Sequence, residues 1–355
     1  MAEKRRAFAD KESCSIPALK VKKGEWVTNA KGKAELLAKT FSAKYVLPDE
    51  VTTCYSDLQK RPPQANWQAP PESAALEVLT KLRDESATGP DLVPTRLLHH
   101  CAKALAELLH RLACRILETG HRPTLWLEHW IIPLYKKKAV WNPDNYRGVH
   151  LTSQLAKCTE RLLQKSFEKF LNSATVSGPN QFAYKKQKGA RDVLAVLTLT
   201  WITGFNRKKK FGLYNADVSG AFDRVCTKRL IEKLRAQGVP EQWVSLLESW
   251  LRERRALVAV GGQYSEAVKF HDMVFQGTVW GPILWNVYFA DVRLAVRSKG
   301  FEEIMYADDM NAYKDFSKTT DNEEVLSETR ECKAETHEWG GPNTVSFDPK
   351  KKVST

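Results

Sequence analysis

The segment that most constrains this chain is Tyr306–Asp309 (Tyr-Ala-Asp-Asp), in which two adjacent carboxylates stand between short apolar runs. Ile304 to Tyr306 before the acids and Met310 to Tyr313 after them have room for one short strand each. This pattern predicts a β-hairpin with the acids at its turn. Aspartate is also common in solvated turns for local backbone reasons. From these four residues alone, a solvated turn is at least as good an interpretation as a pair of metal-holding acids.

Length and composition favour a folded protein with two or three domain-sized units. The chain has 355 residues, of which 43% are hydrophobic and 10% aromatic, and this argues against disorder. No run of about 18 apolar residues occurs, so no membrane association is predicted. The seven cysteines form no CxxC pair. Their scatter predicts reduced thiols in an intracellular compartment and no structural zinc site.

The net charge favours a polyanionic partner. The formal charge is +13 and the pI is about 9.3. The excess is concentrated in Lys136 to Lys138, Arg207 to Lys210 and Lys350 to Lys352. Such clusters suit nucleic acid, although basic runs also occur as solvated surface or as localisation signals. Eleven tryptophans beside them favour nucleic acid over a membrane surface.

Residues 1–65 are predicted to be an N-terminal extension without recognisable chemistry. After the turn at Gly89, apolar spacing predicts a long helix. Its predicted core face consists of Leu97, Cys101, Leu105, Leu108, Leu112 and Ile116.

A basic hairpin is predicted next. Trp130 to Tyr135 and Asn145 to Leu151 read as two strands. Lys136 follows the first strand, and Arg147 lies within the second. A guanidinium fork fixed on a strand suits phosphate binding, because it can donate two parallel hydrogen bonds. An exposed basic hairpin without a ligand is an equally good interpretation.

A third acid, Asp217, ends a predicted buried strand that begins at Phe211. A helix is predicted after it, from Ala221 to Gly238. Nucleotidyl transfer needs two Mg²⁺ ions about 3.5 to 4 Å apart, and Mg²⁺ prefers carboxylates, phosphates and water as ligands. Asp217 and the acids of Tyr306–Asp309 would suit this chemistry if they were adjacent in one sheet. The alternative for Asp217 alone is a helix N-cap.

Seven motifs follow one another along the chain. They are Gly89-Pro90-Asp91; Ile132 to Lys136 with Asn145-Tyr146-Arg147; Gln181-Phe182 with Arg191-Asp192; Asp217 to Asp223; Gln276-Gly277 with Gly281-Pro282 and Asn286; Tyr306–Asp309; and Trp339 with Phe347-Asp348-Pro349 and Lys351. In their order and approximate spacing they resemble the motifs of reverse transcriptases from non-LTR (LINE-type) retrotransposons. The resemblance covers roughly residues 25–355.

The resemblance implies a role for each acid at the catalytic centre. Asp217 and Asp308 are implied as catalytic metal ligands, with the backbone carbonyl of Val218 as a further ligand. Asp309 is implied near the primer end. The implied cofactor is Mg²⁺, as two ions, with Mn²⁺ expected to substitute. Lys351 is a candidate general acid that protonates pyrophosphate, and a plain basic tail is at least as good an interpretation.

The resemblance also implies a binding site for the incoming deoxynucleotide. Arg147, helped by Lys136, would hold the triphosphate. Phe222 would lie under the sugar, where its ring would collide with a 2′-OH, so the enzyme would select dNTPs; without the flanking acids Phe222 would read as a core aromatic. Gln276 and Gly277 would border the nucleotide and the template, since glycine allows close backbone approach.

The implied fold is α+β, with the fingers and palm of a right-hand polymerase. The expected domains are the extension (1–65), fingers (66–205) and a palm (206–355) whose antiparallel sheet is backed by helices. Within the palm, a helix at 279–299 bridges palm and fingers. The chain is expected to end before a thumb. It departs from the family at Gly148, where proline is usual, and at Ala183 and Gln187, where glycine is frequent.

The expected function is RNA-directed DNA polymerase activity that extends a primer 3′-OH with dNTPs. Its partners would be an RNA template and a DNA primer, and its expected location is intracellular and nuclear. One alternative is a truncated, inactive nucleic-acid-binding remnant of such an element. Another is a related intron-encoded or RNA-copying polymerase.

Overall fold

Strands and helices alternate irregularly along the chain, as an α+β fold requires. We describe a computed structural model, and the structure describes residues 16–21, 24–45, 47, 60–62, 68–270, 272–348 and 353–354. The chain divides into two compact units. Unit 1 comprises residues 1–46, 64–166 and 240–281, and unit 2 comprises residues 47–63, 167–239 and 282–355.

The regular elements have the following bounds. The strands are β1 (Leu19–Lys20), β2 (Trp26–Val27), β3 (Glu128–Tyr135), β4 (Tyr146–Leu151), β5 (Lys209–Asp217), β6 (Arg254–Val260), β7 (Gln263–Tyr264), β8 (Val268–Phe270), β9 (Glu302–Tyr306), β10 (Asp309–Ser317) and β11 (Val353–Ser354). The α-helices are α1 (Ala30–Tyr45), α2 (Glu72–Thr80), α3 (Thr95–His100), α4 (Ala102–Thr119), α5 (Gln154–Leu171), α6 (Ala190–Asn206), α7 (Thr227–Ala236), α8 (Glu241–Leu251), α9 (Gly281–Phe289), α10 (Val292–Ser298) and α11 (Asn322–Gly340).

Unit 2 contains a four-stranded antiparallel sheet in the order β11-β5-β10-β9. The central strands β5 and β10 pair along their whole length, from Lys209 opposite Ser317 to Asp217 opposite Asp309. Helix α6 packs on this sheet through Val193 and Leu197. Helix α11 packs so closely on β5 that a Cβ at Gly212 would lie 2.4 Å from Thr329 Oγ1.

Unit 1 contains a sheet in the order β4-β3-β6-β7, with β8 also paired to β6. Strands β3 and β4 form the predicted antiparallel hairpin. Strand β3 also pairs with β6, in parallel. Helix α1 covers this sheet, and its buried Leu37 and Phe41 share one core cluster with Ile131 and Val258.

The prediction for the core face of the long N-terminal helix is wrong except at Ile116, which is buried. The structure has two helices, α3 and α4, and Leu97 and Leu108 are 53% and 60% exposed. The buried face of α4 instead consists of Ala102, Ala106, Leu109, Ala113, Ile116 and Leu117. Small alanines allow α4 to approach α2, whose contacting side also carries buried alanines. This apolar face is inconspicuous in the sequence because alanine also suits exposed helix positions.

Two other predicted helices are interrupted. The helix predicted from Ala221 to Gly238 begins with a 3₁₀ turn at Ala221–Arg224 and becomes α-helical only at α7. The helix predicted at 279–299 is two helices, α9 and α10. The break falls at Asp291, whose carboxylate accepts a hydrogen bond of 2.7 Å from the buried Lys233.

None of the described helices combines the length and the apolar character needed to cross a bilayer. Cys101, Cys114, Cys158, Cys226 and Cys332 form no disulfide.

Candidate active site

The two acids of Tyr306–Asp309 lie at the turn between β9 and β10, as the hairpin prediction required. Tyr306 pairs with Asp309, so Ala307 and Asp308 form a two-residue turn. Ala307 has a φ of +59°, a conformation that costs a non-glycine residue about 1–2 kcal/mol. Asp308 is half-buried at the tip, and Asp309 is exposed as the first residue of β10.

The register of β5 and β10 brings the third acid to the same place. Asp217, the last residue of β5, lies directly opposite Asp309. Opposite residues in an antiparallel pair have Cα atoms about 4.5–5.5 Å apart. Asp217, Asp308 and Asp309 therefore present three carboxylates at one end of the sheet. Their catalytic role stays a prediction.

The backbone around Val218 is held by the segment that follows α11. Asp348 N donates to Asp217 O, and Ser219 N donates to Ser346 O, both at 2.9 Å. These bonds flank a bridge between Val218 and Phe347 and use neither the N–H nor the carbonyl of Val218. In an antiparallel pair of this type the Val218 carbonyl points away from Phe347. This direction suits its predicted use as a ligand.

Gln181 fixes the conformation of the acid turn, a role that the sequence did not reveal. Its side-chain Oε1 accepts from Ala307 N at 3.0 Å, and its Nε2 donates to Ala307 O at 3.2 Å. The same Oε1 accepts from Ala183 N at 3.0 Å. Gln181 is only 1% exposed. A single buried amide thus binds both backbone polar groups of the left-handed residue that precedes Asp308.

Two aromatic residues extend the surroundings of the acids within unit 2. Tyr184 lies close enough to Asp308 that this carboxylate, after burial, contributes to raising the pKa of the tyrosine. Phe222 lies in the 3₁₀ turn after Asp217, and its ring centroid is 6.0 Å from that of Trp285. Phe222 is therefore supported by another ring and remains half-buried. Sequence patterns did not indicate that Tyr184 would lie near Asp308 or Trp285 near Phe222.

The predicted triphosphate ligands lie in unit 1, on the β3–β4 hairpin. Arg147 pairs with Leu134 and is exposed. Lys136 follows β3 directly, and its backbone N donates to Asn145 O at 2.9 Å. The departure at Gly148 falls opposite Pro133 in the same hairpin. The two cations are held on one regular hairpin with their side chains exposed.

Gln276 and Gly277 are fixed against the end of the same hairpin. His150 N donates to Gln276 O at 3.0 Å. Gly277 has a φ of +104°, and a Cβ there would lie 2.8 Å from His150 O. The ring of His150 stacks on Phe275 with centroids 3.9 Å apart. Close packing on a backbone carbonyl, together with this φ, explains why glycine stands at position 277.

One predicted site residue and two departures from the family pattern remain to be placed. Lys351 lies outside the described residues. Gln187, where the family often has glycine, adopts a φ of +58° and so keeps a backbone conformation that glycine favours. Ala183 is buried beside the Gln181 amide.

Comparison with known protein families decides the family. The model for reverse transcriptase (RNA-dependent DNA polymerase) matches residues 135–353, which is more than half of the 355-residue chain. The chain belongs to this reverse transcriptase family. The matched region contains every residue that was predicted for the site. Together with the relatives described next, this match confirms the resemblance to LINE-type reverse transcriptases.

Relatives from Drosophila show the same relationship. The chain is 25% identical over 307 residues to an RNA-directed DNA polymerase from mobile element jockey of Drosophila melanogaster, covering 82% of this chain and 33% of the relative. It is 28% identical over 303 residues to the jockey polymerase of Drosophila funebris, covering 81% and 32%. It is 29% identical over 178 residues to a protein named "Probable RNA-directed DNA polymerase from transposon BS" of Drosophila melanogaster, covering 50% and 20%. This reverse transcriptase chain thus spans a fifth to a third of the relatives' length.

Proposed function

We propose that this reverse transcriptase chain is an RNA-directed DNA polymerase that extends a primer 3′-OH with dNTPs on an RNA template. The observation that carries the proposal is the register of β5 and β10, which sets Asp217 opposite Asp309 with Asp308 at the adjoining turn. The relatives with RNA-directed DNA polymerase in their names support the same reaction.

The three carboxylates and the Val218 carbonyl fit Mg²⁺, because all are hard oxygen donors. Asp217, Asp308 and Val218 would hold two ions, and Mn²⁺ would substitute because it takes the same class of ligand. When bound, the ions activate the primer hydroxyl and neutralise charge on the departing pyrophosphate. Asp309 lies beside this pair and would approach the primer end.

Gln181 contributes by holding the acid turn in place. Its two hydrogen bonds to Ala307 keep that residue in the left-handed conformation, and this conformation sets the direction of the Asp308 side chain. Positional errors of about 1 Å in a reacting group cost large factors in rate. Gln181 is therefore a positioning residue in this proposal, while the acids are the catalytic residues.

The remaining residues would bind the nucleotide. Arg147 and Lys136 would hold the triphosphate, since both are exposed cations on one hairpin. Phe222 would exclude a 2′-OH with a ring that Trp285 supports. Gln276 and Gly277 would border the nucleotide and template. Lys351 is proposed only as a proton donor to pyrophosphate.

In the right-hand description, the antiparallel sheet of unit 2 would be the palm and the β3–β4 hairpin would belong to the fingers. The proposed domain bounds stay at 66–205 for the fingers and 206–355 for the palm. The RNA template and DNA primer are proposed partners, in keeping with the net charge of +13. Nuclear localisation is proposed from the same basic clusters.

Primer extension tests the proposal. The protein is mixed with an RNA template, a DNA primer, dNTPs and Mg²⁺, and extended primers are counted on a denaturing gel. Extension that disappears in Asp308→Ala supports the enzyme. Salt-sensitive binding of the primer–template without any extension would favour the inactive remnant instead. Equal use of dNTPs and rNTPs by the unmodified protein would contradict the role of Phe222, whereas relaxed selection in Phe222→Val would support it.

A further inference from the structure

Two adjacent histidines and an aspartate converge in unit 1, on elements that the proposed reaction does not use. His99 and His100 end helix α3, and Asp84 lies in the loop between α2 and α3. His99 Nδ1 is 2.6 Å from one carboxylate oxygen of Asp84, and His100 Nε2 is 3.1 Å from the other. One donor atom from each residue lies within 4.8 Å of the other two. Among the described residues, this is the one group of three or more potential metal-binding side chains with that geometry.

The donor types fit a borderline-soft divalent cation. Zn²⁺ takes imidazole nitrogen and carboxylate oxygen at about 2.0–2.2 Å, and three protein ligands leave a fourth position for water. A cation held at such distances would need its ligand atoms about 3.3 Å apart, so the present cluster requires only small side-chain rotations. Both imidazoles already face the carboxylate, so the three donors are gathered before any ion arrives.

We propose that Asp84, His99 and His100 form a Zn²⁺ site that ties the loop between α2 and α3 to the end of α3. The site is a structural staple and takes no part in nucleotidyl transfer. Mg²⁺ is disfavoured there because it prefers oxygen ligands and retains its water. The absence of CxxC pairs in the sequence does not bear on this site, since its donors are histidines.

The proposed Zn²⁺ site would act on a loop that packs against the residues directly after the basic hairpin. A Cβ at Gly89 would lie 2.5 Å from Ser153 N and from Thr152 C. The Gln154 side chain also donates to Ala87 O. Thr152 follows β4 immediately, and β4 carries Arg147. Zn²⁺ at Asp84 would therefore reduce local opening of the loop where it contacts the residues after β4.

The test is a Zn²⁺ titration of the full chain by calorimetry, with excess Mg²⁺ present to occupy the carboxylates of Asp217 and Asp308. One site per chain is expected. Losing a direct ligand should weaken binding more than losing an outer partner, which typically costs 10–100-fold. Asp84→Asn and His99→Gln are thus each expected to reduce the affinity by at least about 100-fold. His121→Gln is the matched control, because it removes another histidine of unit 1 outside the cluster, and it should bind as the parent does.

A second readout locates the ion without relying on affinity. Hydrogen exchange of residues 85–93 should slow when Zn²⁺ is added to the parent and should not change in Asp84→Asn. Zn²⁺ binding that survives both Asp84→Asn and His99→Gln would overturn the proposal. In the parent, His110 Nε2 lies 3.6 Å from Cys114 Sγ, and loss of Zn²⁺ binding in His110→Gln would also overturn the proposal. The absence of any saturable Zn²⁺ binding would overturn it as well. None of these outcomes bears on primer extension.

Discussion

Replacing Gln181 with leucine should release the acid turn. Leucine has a similar volume but no polar atom, so the change removes the three hydrogen bonds to Ala307 and Ala183. Two buried backbone N–H groups lose their partner, and each such loss costs about 1–3 kcal/mol. Because Ala307 and Ala183 are both buried, the expected loss in the free energy of unfolding is about 2–6 kcal/mol.

The consequence should be concentrated at the turn. Without the amide, Ala307 has no side chain holding both of its polar groups, and its left-handed conformation costs about 1–2 kcal/mol. Hydrogen exchange at Ala307 N should therefore accelerate more than exchange in the middle of β5 and β10. Primer extension should fall with it, since Asp308 adjoins Ala307. Urea denaturation gives the free energy, and exchange followed by mass spectrometry gives the local opening.

Gln187→Leu is the matched control. It makes the same chemical change on an exposed side chain of the same segment, so its effect on the free energy of unfolding should stay within about 0.5 kcal/mol. The reasoning is refuted if Gln181→Leu matches this control in stability and leaves exchange at Ala307 unchanged.

Three other changes have expected outcomes. Gly277→Ala should lower the free energy of unfolding by at least about 2–3 kcal/mol, because a Cβ would meet a backbone carbonyl at a φ of +104°. The control Gly261→Ala lies at a φ of +50° with its nearest neighbour 3.4 Å away, so it should cost only about 1 kcal/mol. Thermal denaturation compares the two variants. Burial lowers the pKa of His150 to about 3, so the unfolded chain binds more protons than the folded one below about pH 6.5. The free energy of unfolding should consequently decrease as the pH is lowered below about 6.5. Urea titrations at pH 7 and pH 4.5 should show a smaller decrease in His150→Phe than in the parent. An equal decrease in both proteins would contradict the argument. Arg297→Ala should cost about 2–3 kcal/mol, because it leaves the carboxylate of Glu303 (0% exposed) without two hydrogen bonds of 2.8 Å. That value is below the range for fully buried ion pairs because the arginine is 45% exposed. The double variant Arg297→Ala, Glu303→Leu should be more stable than Arg297→Ala alone. A double variant whose loss equals the sum of the losses of the two single variants would argue against a coupled pair.

Local patterns predicted the parts of the site that depend on local structure. The hairpin around Asp308 follows from two short apolar runs and two acids, and the β3–β4 hairpin follows from similar signals around Asn142. The pairing of Asp217 with Asp309 could not be predicted from local patterns. Nothing in the apolar spacing fixes which strand lies beside β10, and only the ordered motifs of the family indicated that partner.

Features that depend on distant contacts were not predicted. Gln181 and Ala307 are 126 positions apart, and a glutamine in a loop gives no sign of being buried. The core face of α4 was misplaced because its alanines carry a weaker apolar signal than Leu97 and Leu108, which are exposed. The approach of Asp84 to His99 depends on the path of a loop, and apolar periodicity does not describe loops.

The central claim is that the acids at the ends of β5 and β9–β10 hold divalent metal together. Mn²⁺ binding, followed by the paramagnetic relaxation of water protons, tests it on this chain without requiring catalysis. Asp217→Asn and Asp308→Asn should each weaken Mn²⁺ binding strongly. Asp315→Asn, which alters the ion pair with Lys209 at the other end of β10, should bind as the parent does. Equal Mn²⁺ binding by the parent, Asp217→Asn and Asp308→Asn would contradict the account.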